Sequence, residues 1–295
     1  MRRTGFFTLL LAMALLPGIA AAVTPKASPI SAQSETIPFR YSNGFILIQG
    51  SMPQLTESLT FLLDSGAAAS VLDLRAANRL GMPLGAPLKI RGVGSESVAY
   101  HVPATPATCG SATPLTNIDL AVDLSNAQKI CEERVDGLIG VDFFKNRVVQ
   151  IDYAARCLRF PTAKNTAGAE MLPIRLHNGM FCVPVAVNGS HSRWTRLDTG
   201  CNDALHWVIP RRHDSAQQRG VSIGFVTNDD DQSLTSVRLG KRSLDAVETS
   251  LHGTELFPGE AGLLGNGILS RFTVTVDGVS RRIYLQPSSS VAASR

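Results

Sequence analysis

Two short triplets carry the clearest chemistry in this 295-residue sequence: Asp64-Ser65-Gly66 and Asp198-Thr199-Gly200. Each is delivered by an apolar residue or run, Phe61-Leu62-Leu63 in the first case and Leu197 in the second. Asp brings a carboxylate, and Ser or Thr brings a hydroxyl that can both donate and accept a hydrogen bond. Gly lets the backbone turn sharply or approach another group where a Cβ would block it. One such triplet is what any β-turn can supply, and average composition yields about 0.1 copies in a chain of this length. Two carboxylates brought to one place cannot both ionise comfortably. One then keeps a proton while the other is charged, so a single site holds an acid and a base.

The triplets are landmarks in a longer internal repeat. Ile37-Pro38-Phe39-Arg40-Tyr41-Ser42-Asn43-Gly44-Phe45 reads against Leu172-Pro173-Ile174-Arg175-Leu176-His177-Asn178-Gly179-Met180, an offset of 135 residues. Asp64 and Asp198 are offset by 134. Asp136-Gly137-Leu138-Ile139-Gly140 matches Ala261-Gly262-Leu263-Leu264-Gly265 at an offset of 125. Each copy then runs into a strand-like tail, 147–152 and 272–277. Three landmarks in the same order make two related lobes, 37–162 and 172–287, joined by a small, polar, Gly-containing linker over 163–171. A pseudo-two-fold axis between such lobes turns the two carboxylate triplets towards each other.

The elements that must position them are short strands. The chain has 25 Gly and 16 Pro, with only 6% aromatic and 18% charged residues, which favours strands and turns over long helices. Phe45-Ile46-Leu47-Ile48 and Phe181-Cys182-Val183-Pro184-Val185-Ala186-Val187 read as apolar strands bounded by turn residues. One helix per lobe is expected. In the first lobe Asp73 caps a helix carrying Leu74, Ala77 and Leu80 and ended by Gly81, and 142–146 forms a further short turn.

The paired D-[ST]-G triplets, each followed by Leu138-Ile139-Gly140 or Leu263-Leu264-Gly265, resemble the aspartic peptidases. The stretches from Asp64 through Arg75-Ala76-Ala77-Asn78-Arg79-Leu80-Gly81 and from Gly137 to Asp152 are similar to bacterial retropepsin-type aspartyl proteases, here with two units fused. The resemblance implies a mostly β, bilobal pepsin-like fold with a cleft between two β-barrel lobes. It implies an endopeptidase in which Asp64 and Asp198 activate a water and cleave peptide or protein substrates. By the same resemblance Ser65 and Thr199 hydrogen-bond across to the opposite loop, and Gly66, Gly200, Gly140 and Gly265 support the two turns. Where the family has Ser, Thr or Ala after the second Gly, this chain has Cys201. The first lobe is the longer, and Arg91-Gly92-Val93-Gly94-Ser95 with Tyr100 is its candidate for a substrate-covering flap. The alternative function is a pseudo-peptidase that binds extended peptides without cutting them; a structural envelope β-barrel leaves the paired triplets unexplained.

The remaining features set the context. Arg2-Arg3, an apolar stretch from Phe6 to Leu16 and Ala20-Ala21-Ala22 make residues 1–22 a signal peptide, followed by a leader over 23–36. A periplasmic or secreted, monomeric protein is expected, with a frayed tail over 288–295. The formal net charge is +4 with no basic run, so nucleic-acid binding is not expected, nor is a membrane span in the mature chain. Five cysteines in an exported chain permit disulfides, and Cys109 with Cys131 is the expected pair; Cys201 with Cys182 is another possibility. No C-x-x-C or paired-His motif occurs, so no metal or other cofactor is expected.

Overall fold

The computed structural model describes residues 11–12, 36–53, 55–92, 96–110, 113–161, 167–209 and 231–288. The fold is mostly β, and the sequence repeat reappears as two copies of one strand arrangement. In the first copy Leu59–Leu63 runs parallel to Gly137–Ile139, which lies antiparallel to Val71–Asp73 on its other side. In the second, Arg193–Leu197 runs parallel to Gly262–Leu264, which lies antiparallel to Leu205–Val208. Each D-[ST]-G triplet therefore leaves the end of one strand, turns, and re-enters the sheet across a three-residue central strand. Those central strands, Gly-Leu-Ile and Gly-Leu-Leu, are fully buried, as a strand covered on both faces must be.

Around these units the two halves wrap their sheets differently. In the second half Met180–Val187 pairs with both Arg193–Leu197 and Asp231–Leu239, which closes the sheet into a barrel. In the first half the hairpin Pro87–Gly92 and Glu96–Thr105 extends the sheet beyond Ile118–Val122. The Asn43-Gly44 and Asn178-Gly179 turns both take positive φ at both residues, 51° and 82°, then 48° and 79°. That is the hairpin turn for which Asn-Gly is the preferred dipeptide.

The halves are joined by a sheet common to both. Val148–Asp152 pairs antiparallel with Phe272–Asp277, in a register that sets Gln150 opposite Thr275. These two residues are themselves repeat mates at the 125-residue offset. The pseudo-two-fold axis thus passes through the Gln150–Thr275 pair, whose side chains hydrogen-bond at 3.2 Å. One apolar core runs through both halves, from Ile37, Ile46 and Phe61 to Val185, Leu264 and Val274.

Several sequence expectations are corrected. The helix at Leu74–Arg79 forms, with the Asp73 carboxylate accepting from Arg75 N at 3.0 Å, and Asp142–Lys145 is helical. But the first half also holds Ser125–Cys131, so one helix per lobe is too few. That helix has no side-chain cap hydrogen bond at its start and ends on Glu132 at φ 54°. It therefore lacks the usual terminal signals. Residues 170 and 171 are not linker: Glu170–Pro173 is a strand paired with the strand ending at Pro287. Ser288 is buried rather than frayed.

Cys109 and Cys131 are not joined. Cys109 lies in the shared core, whereas Cys131 packs in a separate cluster with Leu62, Val71 and Leu138. All five cysteines are buried and none is in a disulfide, Cys182 and Cys201 included. Cys109 and Cys131 fill space in these clusters as small apolar side chains, and burial pushes the Cys131 thiol up to about 12. Of the expected signal peptide and leader only Leu11–Ala12, a two-residue strand beside Arg91–Gly92, and Thr36 fall within the described residues. Among the described residues no helix is long and apolar enough to cross a membrane.

Candidate active site

The two triplets meet. Asp64 and Asp198 are both fully buried. Each loop is hung from its central strand: Asp64 N donates to Ile139 O at 2.8 Å and Asp198 N to Leu264 O at 3.0 Å. Beyond the turn Val141 N donates to Ala67 O, and Asn266 N to Cys201 O, both at 2.8 Å. Gly140 and Gly265 are required because a Cβ there would collide with the backbone of Ala69 or of Asp203.

The hydroxyls tie one loop to the other. Ser65 Oγ donates to Leu197 O at 2.9 Å and accepts from Thr199 N at 3.0 Å. Thr199 Oγ1 donates to Leu63 O and accepts from Ser65 N, both at 2.9 Å. Four buried hydrogen bonds thus cross the pseudo-two-fold axis in two equivalent pairs. Gly66 and Gly200 allow the carboxylates to approach. A Cβ on Gly66 would fall 2.5 Å from Asp198 Cγ, and one on Gly200 would collide with the Asp64 carboxylate.

Each carboxylate has a held oxygen and an open one. Asp64 Oδ1 accepts from Gly66 N at 2.9 Å and Ala67 N at 3.0 Å, and Asp198 Oδ1 accepts from Gly200 N at 2.9 Å. Among the described residues neither buried Oδ2 atom finds a hydrogen-bond donor. Burial pushes both carboxyl groups up from the ordinary carboxylate range, and the neighbouring Asp64 charge raises Asp198 further. The N–H donors and Arg196 pull in the opposite direction. The result is a pair that keeps a proton where isolated carboxylates would have lost theirs.

Arg196 and Glu260 are site residues that sequence reading missed. Arg196 is buried two positions before Asp198. Its Nε and Nη2 donate to Glu260 Oε2 and Oε1 at 2.7 and 2.6 Å, and its Nη1 reaches Gly66 O at 3.2 Å in the opposite loop. The guanidinium also lies 3.6 Å from the centre of the Phe257 ring. Their repeat mates are Leu62 and Val135, so the ion pair exists in one half only. Comparing the two copies position by position exposes it, because charge stands where the sister copy is apolar. Asn266 is a further buried hub: it donates to Thr199 O at 2.7 Å and Gly44 O at 2.8 Å, and accepts from the Tyr153 hydroxyl at 2.8 Å.

The flap candidates are only partly placed. Gly92 ends the first arm of the hairpin, and Gly94 lies outside the described residues. Tyr100 stands in the body of the hairpin, opposite Pro87 on one side and Ala121 on the other, away from the tip.

The fold is the one seen in pepsin-like aspartic proteinases. Residues 48–143 match the family model described as aspartyl protease. Over most of its length the chain is similar in structure to the aspartic proteinase from Irpex lacteus, with a TM-score of 0.54 and 11% identity over 87% of this chain and 98% of that one. It is similarly close to basic 7S globulin from soybean, with a TM-score of 0.53 and 10% identity over 88% and 96% of the two chains. No curated protein matches it in sequence. Residues 48–143 thus match the aspartyl protease family, and the bilobal pepsin-like fold extends over most of the chain.

Proposed function

We propose that the chain is an exported aspartic endopeptidase, with Asp64 and Asp198 as its catalytic carboxylates and extended peptides as its substrates. The observation that carries this reading is the pair of open oxygens. Asp64 Oδ2 and Asp198 Oδ2 are buried and, among the described residues, receive no donor from outside the pair, while both Oδ1 atoms are fixed by backbone N–H groups. A water held between the open oxygens sits where one carboxylate can take its proton as its oxygen attacks the peptide carbonyl carbon. The other carboxyl gives its proton to the carbonyl oxygen, forming a neutral tetrahedral diol. The carboxyl that took the water's proton gives it to the peptide nitrogen while the other takes a proton from a diol hydroxyl, so the C–N bond breaks to acid and amine and the pair ends with the single proton it began with. Shared-proton pairs of this kind are established for aspartic proteases as a class.

The test is a digest of an unstructured peptide library by the mature chain across acid and neutral pH, with and without a transition-state-mimicking aspartic peptidase inhibitor. Cleavage suppressed by the inhibitor is expected, with loss of all cleavage in Asp64→Asn and in Asp198→Asn. Wild-type protein that binds the inhibitor yet cuts nothing at any pH would replace the peptidase by a peptide-binding module.

A further inference from the structure

The second active-site loop differs from the first in three coordinated positions. Cys201, Asp203 and His206 stand where the first half has Ala67, Ala69 and Leu72 at the 134-residue offset. In the first half these side chains do no more than pack. In the second half a thiol, a carboxylate and an imidazole bring one ligand atom each within 4.8 Å of one another. Three independent changes from apolar to metal-binding side chains, converging on one point, are not required by the repeat or by the carboxylate pair.

The scaffold beneath them is rigid. Cys201 O accepts from Asn266 N at 2.8 Å, Asp203 O from Gly267 N at 3.0 Å, and Ala204 O from Gly265 N at 3.1 Å. Gly265 is so close that a Cβ there would fall 2.9 Å from Cys201 Sγ. His206 lies in the strand Leu205–Val208, with its Nε2 2.8 Å from Asp203 Oδ2 and its Nδ1 2.8 Å from His252 Nε2. A histidine whose second nitrogen is held by a fixed partner is the arrangement found behind metal-ligating imidazoles, where the outer contact sets tautomer and ring orientation. Asp203 also lines a cleft of about 360 Å³ with Asn202, Ala204, Glu248, Gly267 and Arg271. Of the three side chains only Asp203 lines this cleft, while Cys201 and His206 are buried.

We propose that Cys201, Asp203 and His206 form a binding site for one divalent transition-metal ion of the zinc class. The donor set decides the class. A thiolate disfavours Mg²⁺ and Ca²⁺, while mixed sulfur, nitrogen and oxygen ligands suit Zn²⁺ and its spectroscopic stand-in Co²⁺. Three protein ligands leave the fourth tetrahedral position to water. On binding, the metal replaces the His206 Nε2 to Asp203 hydrogen bond. In the metal-bound form His206 ligates through Nε2 with its proton on Nδ1, facing His252 Nε2, and the proton that bridged Nε2 and Asp203 is released to solvent with the thiol proton. The site is distinct from the Asp64–Asp198 pair and does not depend on the peptidase reading.

The experiment titrates the reduced full chain with Zn²⁺ by calorimetry, and with Co²⁺ by absorption. One Zn²⁺ per chain, removable by chelator, is expected, together with a thiolate-to-Co²⁺ charge-transfer band. Cys201→Ala, which installs the residue found in the sister half, should abolish that band and weaken Zn²⁺ binding at least tenfold. Asp203→Ala should weaken binding similarly, and Asp64→Asn should leave it unchanged. Far-ultraviolet circular dichroism confirms that each variant is folded, and Cys201→Ser replaces Cys201→Ala if the latter is not. Failure of the reduced wild-type chain to bind Zn²⁺ at millimolar concentration would overturn the proposal. So would binding that survives loss of the Cys201 thiol, or that disappears with Asp64→Asn, because the ion would then lie elsewhere.

Discussion

A carboxylate with no water around it either finds donors or keeps its proton, and Asp64 and Asp198 each do some of both. Because burial raises their folded-state pKa above that of the unfolded chain, the sign of their effect on stability is set. The pair's contribution is fully present below the unfolded carboxylate range and is lost as pH rises through the raised folded values. Asp198→Asn removes one of the two groups, so its Tm should exceed that of the wild type at about pH 8, with the gap closing towards about pH 4. Thermal unfolding at several pH values checks this, and an unchanged gap would mean that the pair does not titrate as buried carboxyls. For activity, Asp64→Asn, Asp198→Asn and the double variant should all be equally inert, as residues acting as a unit are.

Arg196 belongs to the same scale but acts as a positioning residue. Arg196→Met or Glu260→Gln alone leaves a buried charge without its partner, at a cost of about 3–5 kcal/mol. Arg196→Leu with Glu260→Val copies Leu62 and Val135 and should recover most of that loss. Since Arg196 pulls both carboxyls down, the double variant should hold its proton to higher pH. The alkaline limb of its kcat/KM profile should shift upwards, a change that a purely structural ion pair would not produce.

At the scale of elements, the site is two turns clamped by two short strands and by each other. Thr199→Val keeps the shape but removes the hydroxyl that serves Leu63 O and Ser65 N. With a buried donor and a buried acceptor left unpaired, the cost should be about 2–4 kcal/mol. Thr199→Ser should restore both stability and turnover, and chemical denaturation of the two variants side by side separates these outcomes. Much of this level was legible in the sequence because local chemistry dictates it. Asn-Gly bounds the apolar strand that follows it, and Asp73 announces its helix. What was not legible rests on partners far apart in sequence. The Arg196–Glu260 pair spans 64 residues and Asn266 to Gly44 spans 222. The Cys109–Cys131 expectation failed for a related reason: proximity along the chain says nothing of which of two apolar clusters a thiol enters.

At the scale of the molecule, the halves are joined by more than the linker. The Val148–Asp152 and Phe272–Asp277 strands, the crossed hydroxyls and the common core all hold them together. A protease site inserted between Gly168 and Ala169 should therefore be cut without releasing either half. The two fragments should co-elute on size exclusion and unfold in one transition, whereas separate elution would make the linker the principal tie.

The pairing of Gln150 with Thr275 has a further meaning. In a dimer of identical subunits the residue on the symmetry axis faces its own copy, and every substitution is written into both sides at once. Here the two faces are encoded separately, which is why glutamine can stand opposite threonine. The same freedom lets one half acquire Arg196 with Glu260, and Cys201, Asp203 and His206, while the other keeps leucine, valine and alanine in the matching seats. A chain that carries both copies can specialise one of them without damaging the other.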